Sequence, residues 1–239
     1  MSYMEPLASR IRPTTLDQVV GQEHLIGEGK PLRVAVEKKH LFSFILWGPP
    51  GTGKTTIARI YARALHAELY ELSAVSAGKD DIKKIVEQGP IQMRPRVLFL
   101  DEIHRFNKSQ QDFLLPHVES GALTLIGATT ENPSFEVIPA LLSRCRVFVL
   151  EQLGEEALKA ILKSTKTKIT AETFDWLLGY ANGDARKALG MLESTQSLYG
   201  KVTVETLDKA LESSHLRYDK KGEEHFDTIS AFIKSMRAS

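Results

Sequence analysis

Residues 43–56 read Ser-Phe-Ile-Leu-Trp-Gly-Pro-Pro-Gly-Thr-Gly-Lys-Thr-Thr, and no other stretch constrains the fold as tightly. The apolar run Phe44 to Trp47 predicts a buried strand. Gly48, Pro49, Pro50, Gly51, Thr52, Gly53, Lys54 and Thr55 follow at once in the spacing G-x-x-x-x-G-K-T, with Thr56 after them and an Ala-rich helical stretch from Thr55 to Leu65. Strand, glycine-rich loop and helix form the context in which this spacing binds phosphate. Glycines let backbone N–H groups turn inward onto phosphate oxygens, and the helix start adds its positive dipole end. Lys54 then reaches the β- and γ-phosphates, and the Thr55 hydroxyl holds Mg²⁺. Chance gives such a spacing in roughly one chain in a hundred of this length. The flanking elements make it rarer still, so the expected cofactors are ATP and Mg²⁺.

In open parallel sheets ligands lie outside the carboxyl ends of the strands. Val97-Leu-Phe-Leu-Asp101-Glu102 is an apolar run closed by two acids, the pattern of a central strand covered on both faces. It puts Asp101 where it can orient the Mg²⁺ shell, making Thr55 and Asp101 the metal candidates. Glu102 is placed to polarise the attacking water. Solvated strand-end charge is the alternative. Leu123 to Ala128 predicts another strand and sets Thr130 on the same edge, as a γ-phosphate sensor or a turn residue. His104 reads as a plain surface histidine or a functional one. Arg105 and Lys108 touch nucleic acid, a neighbouring subunit or only water.

Pro139 to Leu150 predicts a short helix ending near Ser143 and a last strand, Val147 to Leu150. Arg144 then lies at the sheet's amino edge, about five residues or roughly 17 Å from the phosphates. It is out of reach of its own nucleotide and can complete a neighbour's site as an arginine finger in trans. A local salt bridge is the alternative.

Residues 10–22 carry loop and turn chemistry, with a helix expected from Pro31 to Lys39. Val19 and Val20 either pack against an adenine or fill ordinary core. Glu68 to Leu72 predicts a second strand. Lys79 to Gln88 predicts an amphipathic helix with Ile82, Ile85 and Val86 on one face and Lys79, Lys83 and Lys84 on the other. Those lysines, Arg94, Arg96 and Lys108 are the candidates for nucleic-acid phosphate.

Over 239 residues the net charge is +1, so only local patches can speak for a nucleic-acid partner. The lone Cys145 excludes intramolecular disulfides and multi-cysteine zinc modules. No apolar run approaches the ~18 residues a membrane span needs, and Met1 to Arg10 has no signal-peptide core. A cytoplasmic protein is expected.

After Gly154 strand-like runs stop. Helical stretches read as Glu155 to Ser164, Ala171 to Ala181, Asp184 to Tyr199 and Val204 to Ser213. Arg186 falls in the first turn after the break at Gly183-Asp184, where a cation opposes the helix dipole. That points to a use on the γ-phosphate rather than to plain solvation. Leu216 to Gly222 reads as a linker, and Glu224 to Met236 as one more helix.

Together these residues resemble the AAA+ ATPase superfamily. Arg12 with Val19-Val-Gly-Gln22, and Ser143-Arg-Cys145, look like its clamp-loader clade; Asp101-Glu-Ile-His-Arg105 is also similar to the RuvB branch-migration motor. His104 to Asp112 and Gly127 to Phe135 look like the RarA/MgsA replication-associated recombination family, whose eukaryotic counterpart is the Werner helicase interacting protein. The resemblance implies an α/β P-loop domain of three layers around a five-stranded parallel sheet, spanning 1–152. A small all-helical lid spans 153–214. Residues 215–239 form a linker and the start of a truncated C-terminal oligomerisation domain. It implies sensor 1 at Thr130, the trans finger at Arg144 and sensor 2 at Arg186. It also implies a DNA-dependent ATPase at stalled or gapped forks, working as a homo-tetramer with single-strand DNA-binding protein and the replisome. A clamp-loader subunit or a RuvB-like branch-migration motor, and a non-hydrolysing ATP-binding interaction module, are the rival readings.

Overall fold

The computed structural model describes residues 5–87 and 94–218. In chain order its helices are α1 (Leu7–Arg10), α2 (Glu23–Ile26), α3 (Pro31–Glu37), α4 (Lys54–Ala64), α5 (Lys79–Glu87) and α6 (Lys108–Glu119). There follow α7 (Pro133–Glu136), α8 (Pro139–Leu142), α9 (Glu155–Ser164), α10 (Ala171–Ala181), α11 (Ala185–Tyr199) and α12 (Val204–Tyr218). The strands are β1 (Phe44–Trp47), β2 (Glu68–Ser73), β3 (Arg96–Asp101), β4 (Thr124–Thr129) and β5 (Arg146–Val149).

All five strands pair in parallel, in the order β2-β3-β4-β1-β5. Side chains alternate between the faces of a strand, and β3 shows why its sequence is apolar throughout. Val97 and Phe99 join one cluster with Leu46, Ile57, Tyr61 and Ile126. Leu98 and Leu100 join another with Ile45, Ile82, Leu114 and Leu125. The sheet is thus packed by α4 on one side and by α5 and α6 on the other, the expected three layers. Burial pushes the Cys145 thiol up to about 11, so this cysteine is a packing residue.

Helices α9 to α12 enclose a separate apolar core around Leu162, Leu177, Leu192 and Leu207. Asp184 caps α11 by accepting from the Arg186 and Lys187 N–H groups at 2.8 and 3.1 Å. One expectation changes here. Helix α12 continues beyond Ser213 to Tyr218, so the first residues of the expected linker are helical; the helix expected at 224–236 lies outside the described residues. Ahead of the loop and turn stretch at 10–22 stands α1. Leu7 is buried in the helical core, and its N–H donates to Glu193 Oε1 at 2.8 Å.

The chain therefore passes twice between the layers and the helical bundle, at residues 11–22 and at 150–154. Buried Gln22 joins the two passages. Its amide nitrogen donates to the Glu151 carbonyl at 2.8 Å and the Thr52 carbonyl at 3.5 Å, and its amide oxygen accepts from the Glu151 N–H at 3.1 Å.

Candidate nucleotide-binding and hydrolysis site

Strand β1 ends at Trp47 and α4 begins at Lys54, so Gly48 to Gly53 form the turn between them. A cleft of about 690 Å³ opens over this turn, within the range that suits a nucleotide. Its floor carries Pro50 to Thr56, Asp101, Glu102 and Thr130, and Arg186 reaches it from α11. Gly48 and Pro49 act through their carbonyls, which receive the Lys54 ammonium at 2.8 Å each. Lys54 is only 8% exposed. Burial lowers its pKa, and the carboxylates of Asp101 and Glu102 partly offset that, while Arg186 adds to it. Thr52 anchors the turn by donating to the Pro49 carbonyl at 2.9 Å.

Val19 and Val20 line the cleft opposite Ile161 and Leu189 of the helical bundle. Val19 also packs on the sheet's core, so the two readings of this pair meet in one residue. Arg12, given from the sequence only as part of a resemblance and with no role at the site, also lines the cleft. Its Nη1 is buried without a partner among the described residues. Burial, then Arg59 and Arg186, lower its pKa. Buried polar atoms without partners are uncommon and call for an explanation. Arg12, Lys54 and Arg186 converging on one cleft fit a polyphosphate. The Asp101 carboxylate and the Thr55 hydroxyl, which line the same cleft, are hard oxygen donors of the kind Mg²⁺ takes.

Gly51, at φ 71°, is where the turn meets the bundle: a Cβ built on it would fall on the Asp184 carboxylate. Alanine in this left-handed conformation also costs about 1–2 kcal/mol. Gly51→Ala is expected to lower affinity for a fluorescent ATP analogue by about 10-fold or more, with the thermal midpoint lowered by about 2–8 °C. Unchanged affinity in a titration would show that the turn and α11 need not approach each other.

At Glu102 the backbone is left-handed, φ 56° and ψ 44°, a strained state for a non-glycine residue. The Glu102 N–H donates to Asp101 Oδ1 at 3.1 Å, and a 3-10 turn, Ile103–Arg105, follows. His104 is not a surface histidine: its side chain is 9% exposed, and Nε2 lies 3.2 Å from Glu102 Oε2.

The parallel register pairs Phe44 with Arg146, so Arg144 sits before β5, at the edge away from the turn. There the local ion pair weighed from the sequence is present. Arg144 is held by the Glu119 carboxylate and donates to the Ala140 carbonyl at 2.7 Å and Ser143 Oγ at 2.9 Å. Arg96 is withdrawn from the candidate phosphate contacts. It is buried at the start of β3 and donates to the Val86 carbonyl at 2.9 Å. Lys79, Lys83, Lys84, Arg94, Arg105 and Lys108 are exposed.

Residues 44–153 match the family described as ATPase family associated with various cellular activities (AAA), and residues 163–237 match the AAA C-terminal domain. Replication-associated recombination protein A of Haemophilus influenzae is 46% identical over 98% of this chain and 57% of its own length. ATPase WRNIP1 of Dictyostelium discoideum is 38% identical over 98% of this chain and 31% of its own. The chain thus spans little more than half of the curated bacterial relative. Among solved structures, the Thermotoga maritima RuvB Holliday junction branch migration motor superposes with a TM-score of 0.71, at 29% identity over 91% of this chain and 76% of the other. With its five-stranded parallel sheet, its helical bundle and similarity over 98% of its own length, the chain belongs to the AAA ATPases and is a homologue of replication-associated recombination protein A and WRNIP1.

Proposed function

We propose that this chain is a DNA-dependent ATPase of replication and recombination, acting as one subunit of a homo-oligomeric motor at stalled or gapped forks. The observation that carries the reading is the convergence of Lys54, Asp101, Glu102, Thr130 and Arg186 on one cleft, with Arg144 at the opposite end of the strands. In this reading 1–152 hold the nucleotide, 153–214 form its lid, and 215–239 begin a C-terminal oligomerisation domain, tetrameric in the whole protein. The backbone of Gly48 to Gly53 and Lys54 grip the phosphates, while Val19 and Val20 cover the base. Thr55 and Asp101 hold Mg²⁺, which supplies charge neutralisation on the phosphates when bound. Glu102 orients the attacking water and draws off its proton. Thr130 and Arg186 sense the γ-phosphate, and Arg144 completes the neighbour's site.

DNA, as a fork, gap or single-strand/double-strand junction, is the proposed partner, with single-strand DNA-binding protein and the replisome. The names of the relatives support that setting, and a cytoplasmic, nucleoid-associated location is proposed with it. Among the described residues no helix is long and apolar enough to cross a membrane. Lys79 reaches Ser109 Oγ at 2.7 Å, which brings the start of α5 to that of α6 beside Lys108 and Arg105, a basic surface for phosphate. The likeness to RuvB favours branch migration as the second reading.

ATP turnover per chain, measured across protein concentration with and without forked DNA, tests the proposal. It is expected to rise with both and to fall steeply with salt once DNA is present. A rate indifferent to concentration and to DNA rejects it.

A further inference from the structure

We propose that His104 is a positioning residue that ties the Glu102 carboxylate to the turn carrying Thr130; the inference rests on Glu102 being the residue that orients water. Nε2 of His104 lies 3.2 Å from Glu102 Oε2, and Nδ1 lies 3.0 Å from Thr129 Oγ1. Thr129 is fully buried at the end of β4, and its Oγ1 accepts from the Glu131 N–H at 2.9 Å. His104 thus stands between the last residue of β3's acidic pair and the backbone on both sides of Thr130.

One proton position follows from the contacts. A bare Nε2 lone pair facing a carboxylate is repulsive, so Nε2 carries a hydrogen and donates to Glu102. Nδ1 meets the Thr129 hydroxyl in either ring state: a neutral ring accepts from it, and a charged ring donates to it while the hydroxyl donates to the Glu131 carbonyl at 3.3 Å. Both states leave one connected path, from the Glu131 backbone through Thr129 Oγ1 and the His104 ring to Glu102 Oε2. It occupies one carboxylate oxygen. Oε1 has no partner among the described residues and is left for water. Close packing fixes the link, because Gly127 on β4 has no side chain and Ile103 fills that space. A shift of the Thr130 turn therefore reorients Glu102 through His104, and an acid strained at φ 56° is ready to respond. Orienting groups of this kind are commonly worth about 10- to 100-fold in activity.

Side-chain amides separate the two halves of the link. Gln places its amide near Nε2 and keeps a donor for Glu102; Asn places it near Nδ1 and keeps only Thr129. In the full chain, His104→Ala and His104→Asn are expected to lower kcat about 10- to 100-fold with KM within about twofold, and His104→Gln to recover most of the loss. Thr129→Val should lower kcat as well, and the pair His104→Ala with Thr129→Val should be no worse than His104→Ala alone. Ring ¹⁵N signals of His104 should move on Glu102→Gln and on adding Mg·ATPγS, a readout independent of turnover. Additive losses, a pure KM effect, or a ring signal indifferent to Glu102→Gln would overturn the proposal. Full turnover in Glu102→Gln would instead remove the role assigned to Glu102.

Discussion

Glu102→Gln is expected to abolish steady-state ATP turnover, by about 10²- to 10⁴-fold, while ATP binding stays within about twofold of the wild type. The amide keeps the size of the carboxylate and one oxygen acceptor, so the strained backbone and the approach of His104 are undisturbed. What it loses is the negative charge that draws a proton from water. In the proposed site binding rests elsewhere, on the turn from Gly48 to Gly53, Lys54 and the lining contributed by the helical bundle. Equilibrium titration with an ATP analogue beside a phosphate-release assay checks both halves. Turnover within threefold of the wild type would remove Glu102 from the chemistry and leave it as strand-end charge.

A still larger effect is expected at the other end of the sheet. Arg144→Ala should lower turnover about 10³- to 10⁵-fold, the usual worth of an arginine finger, at protein concentrations where the wild-type rate per chain has reached its plateau. Two inactive variants should then rescue each other. An Arg144→Ala chain keeps a complete phosphate turn and Glu102; a Glu102→Gln chain keeps its Arg144. Where the second abuts the first, one complete site forms, and the mixture should regain a measurable share of wild-type turnover. Failure to complement, with both variants shown to assemble, would mean that Arg144 acts only within its own chain. Glu119 bears on this directly. It holds Arg144 in the single chain, and the two side chains are about 39% and 47% exposed. An ion pair this open to water is worth little, so a neighbour's triphosphate can take Arg144 from it at small cost.

Much of the fold was legible because each layer writes a local signature. The phosphate turn carries its own spacing, and central strands covered on both faces read as apolar runs, as Val97 to Leu100 do. Helices α9 and α10 have the bounds expected for them. The remaining features depend on contacts between distant parts of the chain. Leu7 lies 186 residues from the Glu193 side chain that receives its N–H, and Gln22 lies 129 residues from Glu151. No local pattern reports such a pairing. His104 read as surface because a lone histidine after two acids gives no sign of burial. Only the parallel pairing of β3 with β4 puts Thr129 beside it. Arg96 misled for the converse reason: a cation between Pro95 and the apolar run reads as exposed until a carbonyl is found to receive it.

The double passage between sheet and helices has a mechanical consequence. A single peptide strand linking two bodies behaves as a swivel, free to turn about several directions. Two strands fastened side by side at Gln22 act as paired leaves of a door hinge, and what remains is rotation about the line joining them. Arg186 rides on α11 and lines the cleft, so a turn of the bundle about that line would carry it toward or away from the cleft floor. The bundle would then open and shut along one arc.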